Sequence, residues 1–212
     1  MKESDLFAPI KEYLIDEVGC SNVYGEVASC DVLGIHGPAN IIVEMKKSLN
    51  FKVIEQAIDR RFYGHYMFVA VPKPKSISRL AVSILKQHKI GLLLVDESGV
   101  RKHLPARYNR DIFRLTNIRE KIKPYHETQV GGVKSGEGKT DYSVTIENIK
   151  TFLKRKSISN DGWVSIDEIL DRCETHYANP KQSVSGTLRA HWNADWCESK
   201  REEGKMYFRL KK

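Results

Sequence analysis

Along the N-terminal half of the chain, apolar side chains change repeatedly between helical and extended spacing. Over residues 4–18, Leu6, Ile10, Tyr13, Leu14 and Val18 return at three- and four-residue intervals, which predicts an amphipathic helix with Ser4 able to cap its start. A Gly-Cys-Ser-Asn break leads into three short extended runs, residues 23–27, 30–35 and 41–47, the last two separated by His-Gly-Pro-Ala-Asn. A helical stripe follows at 51–63, where Val53, Ile54, Ala57, Ile58 and Phe62 share a face. It runs into an apolar strand at 66–71, which Pro72 and Pro74 stop. Ser76 opens another helix, carrying Ile77, Leu80, Ala81, Ile84 and Leu85, and residues 91–96 form a further apolar strand. This alternation of strands and helices predicts an α/β domain, a mixed or parallel sheet with helices packed on it. One more helix is expected within residues 109–122.

The pattern breaks at residues 129–140, Gln-Val-Gly-Gly-Val-Lys-Ser-Gly-Glu-Gly-Lys-Thr, which by composition is a flexible boundary. Two domains are therefore expected, at 1–125 and 143–212, joined by a linker at 126–142. The second begins with a helix at 146–154, followed by a helix with Ile166, Ile169 and Leu170 on one face and Ser165 and Glu168 in capping positions. A third helix is expected at about 181–193, then a hairpin of residues 196–199 and 205–210 around Lys-Arg-Glu-Glu-Gly. Three helices and a terminal hairpin are in winged-helix order.

Composition narrows the picture only a little. The 212 residues are 41% hydrophobic and 29% charged, the balance of an ordinary globular chain. A net charge of +8 favours an anionic partner, because Lys and Arg meeting phosphates release counterions. The charge is spread: residues 143–212 hold 13 Lys and Arg against 10 Asp and Glu. The longest apolar runs, 66–71 and 90–95, are far short of the ~20 residues of a membrane helix, so no membrane role is expected. The polar start, Met-Lys-Glu-Ser-Asp, has no signal-peptide core, and a cytoplasmic location with reduced cysteines is expected. Cys20, Cys30, Cys173 and Cys197 have no zinc-site spacing. Gly138-Lys139-Thr140 matches the end of a P-loop, but Val133 stands where that pattern needs its first glycine.

The candidate chemistry lies at the end of the third extended run. In Glu44-Met45-Lys46 strand alternation puts Glu44 and Lys46 on one face and Met45 on the other. Asp31 lies on the preceding strand, which a short turn would lay antiparallel alongside. Two carboxylates and an ammonium would then meet, a set able to hold a hard cation through oxygens while the lysine orients a water. Gln56 and Arg60, one helical turn apart, can both face the strand ends where a phosphate would lie. Glu3 falls on the apolar side of the first helix, and Glu26 one strand before Asp31.

Asp31…Glu44-x-Lys46 resembles the D…(D/E)-x-K signature of the PD-(D/E)XK nuclease superfamily, with Cys30 where the family has proline. The resemblance covers roughly residues 1–96, and extends more narrowly to bacterial phosphodiesterases of that type through Gly25-Glu26-Val27, Gln56-Ala57-Ile58-Asp59-Arg60 and Gly131-Gly132. It implies a restriction-endonuclease-like fold and Mg²⁺- or Mn²⁺-dependent phosphodiester hydrolysis, DNA being the expected substrate. Asp31 and Glu44 would be metal ligands with the Met45 carbonyl, Lys46 the water-positioning residue, and Gln56, Glu3 and Glu26 supporting catalytic residues. In the second domain Lys181, Gln182, Ser185 and Arg189 of the third helix, with Lys200 and Arg201 of the hairpin, are the candidate nucleic-acid contacts, joined by Arg60. Trp163, Trp192 and Trp196 are expected to be core aromatics. Competing expectations are a non-catalytic DNA-binding or regulatory protein that keeps the fold, and an RNA-directed nuclease. Cleavage of both strands of a duplex would suit a homodimer.

Overall fold

The computed structural model describes residues 2–110, 117–133, 138–158, 161–175, 177 and 179–211, together with the backbone of residue 159. The chain divides into two compact units, Met1–Gly138 and Lys139–Lys212.

The first unit is α/β, a six-stranded mixed sheet flanked by helices. Its strands β1 (Asn22–Val27), β2 (Cys30–His36), β3 (Ala39–Met45), β4 (Tyr66–Pro72), β5 (Gly91–Asp96) and β6 (Gly99–Leu104) lie side by side in chain order. The pairs β3–β4 and β4–β5 are parallel and the others antiparallel. The parallel steps are the two that need a crossover, and helices α2 (Phe51–Arg60) and α3 (Arg79–Gln87) supply it. Both pack on one face of the sheet, where Val53, Ile54, Ala57, Ala81 and Leu85 join Leu33, Ile42, Val69 and Leu92 in the core. Helix α1 (Phe7–Asp16) and the turn before it cover the other face, with Leu6, Ile10 and Leu14 against Val32, Val43 and Leu93. Strands β3 to β5 are therefore apolar on both faces, as sheet strands buried between helices must be.

Several boundaries differ from the sequence expectation for local reasons. The first helix opens with a 3-10 turn, Ser4–Leu6, and no side chain caps it. Ser78, not Ser76, caps α3 through the Ala81 N–H, so the helix starts two residues later than expected. Strand β6 escapes the apolar-pattern reading because Arg101, Lys102 and His103 are exposed at the sheet edge. Of the helix expected at 109–122, residues 111–116 lie outside the described residues, and Ile118–Lys121 is a 3-10 turn. Residues 126–133, assigned above to a linker, belong to the first unit and pack on its sheet.

The second unit has a core of its own. Helices α4 (Asp141–Ser159), α5 (Ile166–Arg172) and α6 (Pro180–Leu188) bury Ile149, Leu153, Ile169, Val184 and Leu188 around Phe208. Phe208 lies on β9 (Lys205–Leu210), the central strand between β7 (Val164–Ser165) and β8 (Cys197–Glu202). The Ser165 hydroxyl accepts from the Glu168 N–H and caps α5, as expected. The third helix is shorter than expected. It stops at Leu188, and His191–Asn193 is a separate 3-10 turn that leaves Trp192 61% exposed. Trp192 is thus not a core residue, and its Nε1 donates to the Tyr142 hydroxyl. No helix among the described residues is long and apolar enough to cross a membrane.

Candidate metal centre and nucleic-acid contacts

The geometry of the site follows from strand register. Strands β1 and β2 pair Gly25 with Val32 and Val27 with Cys30, which sets Glu26 across from Asp31. The β2–β3 register pairs Val32 with Val43, and one step further along sets Asp31 across from Glu44. Three carboxylates therefore form a row over three neighbouring strands. Like charges directly opposite each other on a sheet repel, so such a row needs compensating charge.

The compensation comes from three directions. Glu44 is fully buried, and its Oε2 forms an ion pair with Arg60 of α2. Asp31, 8% exposed, accepts a hydrogen bond from the Met45 N–H at 2.7 Å. Glu26 Oε1 accepts from the N–H groups of Gly132 at 2.7 Å and Val133 at 3.3 Å. Burial, and after it the neighbouring Asp31, pushes the Glu44 carboxyl up to about 8 despite the pull of Arg60. Burial also raises Asp31, against the Met45 N–H and the charges of Lys46 and Arg60. Glu26 is raised by burial and then by Asp31. All three carboxyls are thereby shifted toward holding their protons.

Lys46 departs from the sequence expectation. It lies one residue beyond the end of β3, where strand alternation no longer fixes its direction, and its Nζ reaches Glu3 Oε2 at 2.8 Å. Glu44 faces Arg60 instead, so the two do not share one partner. Lys46 still acts on Asp31 electrostatically, and Glu3 is thereby drawn to the same place. Arg60, expected to contact phosphate, is engaged by Glu44. Gln56, one turn before Arg60 on α2, has a buried Oε1 with no hydrogen-bond partner, as does Glu44 Oε1.

A segment far away in sequence completes the site. Residues 129–133 run against β1 and β2 as a strap. A Cβ on Gly131 would come within 2.0 Å of the Asp31 carbonyl oxygen, and Gly132 has φ +71. Only glycine allows both the approach and the left-handed turn. The sequence signal was the Gly131-Gly132 pair, which by composition reads as a linker. Glu26 itself is left-handed at φ 60, a conformation costing about 1–2 kcal/mol for a residue with a side chain. Its two hydrogen bonds from the strap hold it there.

The donor set fits a hard divalent cation. Among the described residues no three His, Cys, Asp or Glu side chains form a ready-made metal cage. Mg²⁺ does not ask for one, since it is commonly held by one or two carboxylates and keeps several waters. Asp31 and Glu44 would supply the carboxylates, and the orphaned Glu44 Oε1 is an oxygen without a donor.

In the second unit, Lys181, Gln182 and Ser185 of α6, Arg189 just after it and Lys205 of the hairpin line one groove of about 400 Å³. Lys181 is paired there with Asp167 at 2.5 Å. Lys200 lies outside that groove, over the Trp163 ring and paired with Glu202 at 2.7 Å. Arg201 is exposed on β8. Trp163 is held between Lys200 and Arg209, and Trp196 packs at the margin of the core.

Comparison of the chain with protein-family models, curated proteins and solved structures finds no match.

Proposed function

We propose that the first unit is a restriction-endonuclease-like domain that hydrolyses phosphodiester bonds, in DNA before RNA, with Mg²⁺ or Mn²⁺ held by Asp31 and Glu44. The observation that carries this reading is the row of Glu26, Asp31 and Glu44 at neighbouring strand positions, with Asp31 and Glu44 buried and all three carboxyls raised. A divalent ion bound there would supply Lewis-acid stabilisation of a phosphoryl oxygen and a more acidic water. The protein's own groups do the rest. Lys46, held by Glu3, orients the attacking water and faces the charge that develops on the phosphate. Arg60 balances Glu44 until that charge is otherwise met. Gln56, one turn before Arg60, would offer its unpartnered oxygen as a supporting group. The strap fixes Glu26 and with it the edge of the row.

The second unit, on this reading, is a winged-helix-like module. Its α6 groove, with Gln182, Ser185 and Arg189, takes the phosphate backbone.

The test is cleavage of plasmid, single-stranded and branched DNA, and of matched RNA, with Mg²⁺ or Mn²⁺. Wild type is expected to cleave and Asp31→Ala to be inactive. Equal activity in the two would refute the reading. One observation favours a second reading, a regulatory DNA-binding protein that keeps the fold without catalysis: Arg60 already occupies Glu44. Mn²⁺ titration separates them, because only the catalytic reading requires binding that disappears in both Asp31→Ala and Glu44→Gln.

A further inference from the structure

The positive charge of this protein is concentrated away from the carboxylate row. Residues 73–110 hold nine Lys and Arg against two Asp and Glu, seven units of the net +8. This stretch is α3, β5 and the edge strand β6 with the residues that follow it. The acidic pair, Asp96 and Glu97, lies at the β5–β6 turn, where Asp96 pairs with Lys73.

The remaining cations surround a groove between α3 and the end of β6. Two open cavities of about 400 and 650 Å³ adjoin along Ser83 and Lys86, and together they are the trough. Arg79, Ser83 and Lys86 recur along one stripe of α3, and across from them stand His103, at a β-bulge, and Arg107; Lys89 closes the end. Among the described residues, no acidic one lines either cavity. Arg79, Lys86, Lys89 and Arg107 are exposed, and none forms an ion pair among the described residues. Charged residues on an edge strand are a common guard against sheet extension. That accounts for Arg101 and Lys102 but not for a helix that aims its own cations into the same trough.

From this charge complementarity we propose that the α3–β6 trough binds the phosphate backbone of a duplex nucleic acid, as a surface separate from the carboxylate row. Arg79 and Lys86 are seven helical residues apart, about 10 Å along α3. That length matches about three phosphates of one strand at 3.4 Å per step along the duplex axis. Contacts to phosphate oxygens carry no sequence information, so the proposed binding is independent of sequence. The proposal does not rest on the catalytic reading, and its test excludes catalysis.

The full-length chain is titrated, in EDTA, into a fluorescently labelled DNA duplex at several salt concentrations. The variant Arg79→Gln/Lys86→Gln/Lys89→Gln/Arg107→Gln is compared with a control of equal charge loss, Lys52→Gln/Lys121→Gln/Lys154→Gln/Arg155→Gln. The trough variant is expected to bind more weakly, with a slope of log K against log salt shallower by about 0.9 for each phosphate that is no longer neutralised. The control is expected to keep the wild-type slope. Unchanged binding in the trough variant, or an equal loss in the control, overturns the proposal. Independently of any variant, amide exchange of the wild type is expected to slow at residues 83–89 and 103–107 when duplex is added, and no protection there also overturns it. A matched RNA duplex distinguishes the source of the backbone. Binding to anionic phospholipid vesicles without binding to either duplex would be a refutation.

Discussion

At the scale of single residues, the site is a balance between burial and charge. The Glu44 carboxyl, raised to about 8, holds its proton in the folded chain at pH values where the unfolded chain has released it. The folded state therefore binds more protons than the unfolded state between about pH 4.5 and 8, and stability falls as pH rises through that window. Asp31 and Glu26 are shifted in the same direction, so their protons act on stability with the same sign. Thermal melts of the metal-free protein are expected to lose stability from pH 5 to 8, with each such proton contributing up to about 1.4 kcal/mol per pH unit. Glu44→Gln should flatten the curve, and an unchanged curve would rule out Glu44 as its source. On the proposed reading a divalent ion displaces the same proton, so its apparent affinity is expected to rise across that range, as a calorimetric titration at pH 6 and 8 would measure. The Lys46–Glu3 pair is different in kind. With side chains 24% and 27% exposed, it adds at most about 1 kcal/mol to stability. Glu3→Gln is expected to leave the melting temperature nearly unchanged and, on the proposed nuclease reading, to slow cleavage by freeing Lys46 from its orientation.

At the scale of elements, two short segments hold more strain than their length suggests. The β1–β2 hairpin turns through Ala28 and Ser29, both left-handed at φ 51 and 67. Two-residue hairpins favour that sign because it matches strand twist, but Gly and Asn are the residues that adopt it cheaply. Ser29, exposed at the tip, is the position to relieve. Ser29→Gly should raise stability by about 0.5–1 kcal/mol, read as a higher urea midpoint. The strap is the opposite case. Gly131→Ala places a methyl group against the Asp31 carbonyl, which is backbone and cannot swing away. Release of residues 129–133 is the expected result, detected as new protease cleavage there, together with loss of the two N–H donors to Glu26.

At the scale of the whole molecule, each unit is built around its own core, which is why the chain can divide at Gly138. The smaller unit depends heavily on Phe208, fully buried on the central strand of its three-stranded sheet. Replacing a buried Phe with Ala costs about 3–5 kcal/mol, a large part of the stability of so small a domain. Phe208→Ala is expected to unfold the second unit while leaving the first intact. Residue-resolved amide exchange would register this as fast exchange confined to residues after 139, and equal loss in both units would contradict their independence.

Helical and extended periods are properties of neighbouring residues, so the order of elements from α1 to β5 could be read from the sequence by itself. The same holds for Asp31 beside Glu44, because adjacent strands joined by a short turn pair antiparallel and carry their side chains into register. Chain folding alone brought Arg60 onto Glu44, turned Lys46 to Glu3, and carried Gly132 back to Glu26 across 106 positions. It also gathered the cations of α3 and β6 around one trough. Those arrangements depend on how helices and loops close over the sheet, and closure is settled by packing between distant segments, which leaves no period in the sequence.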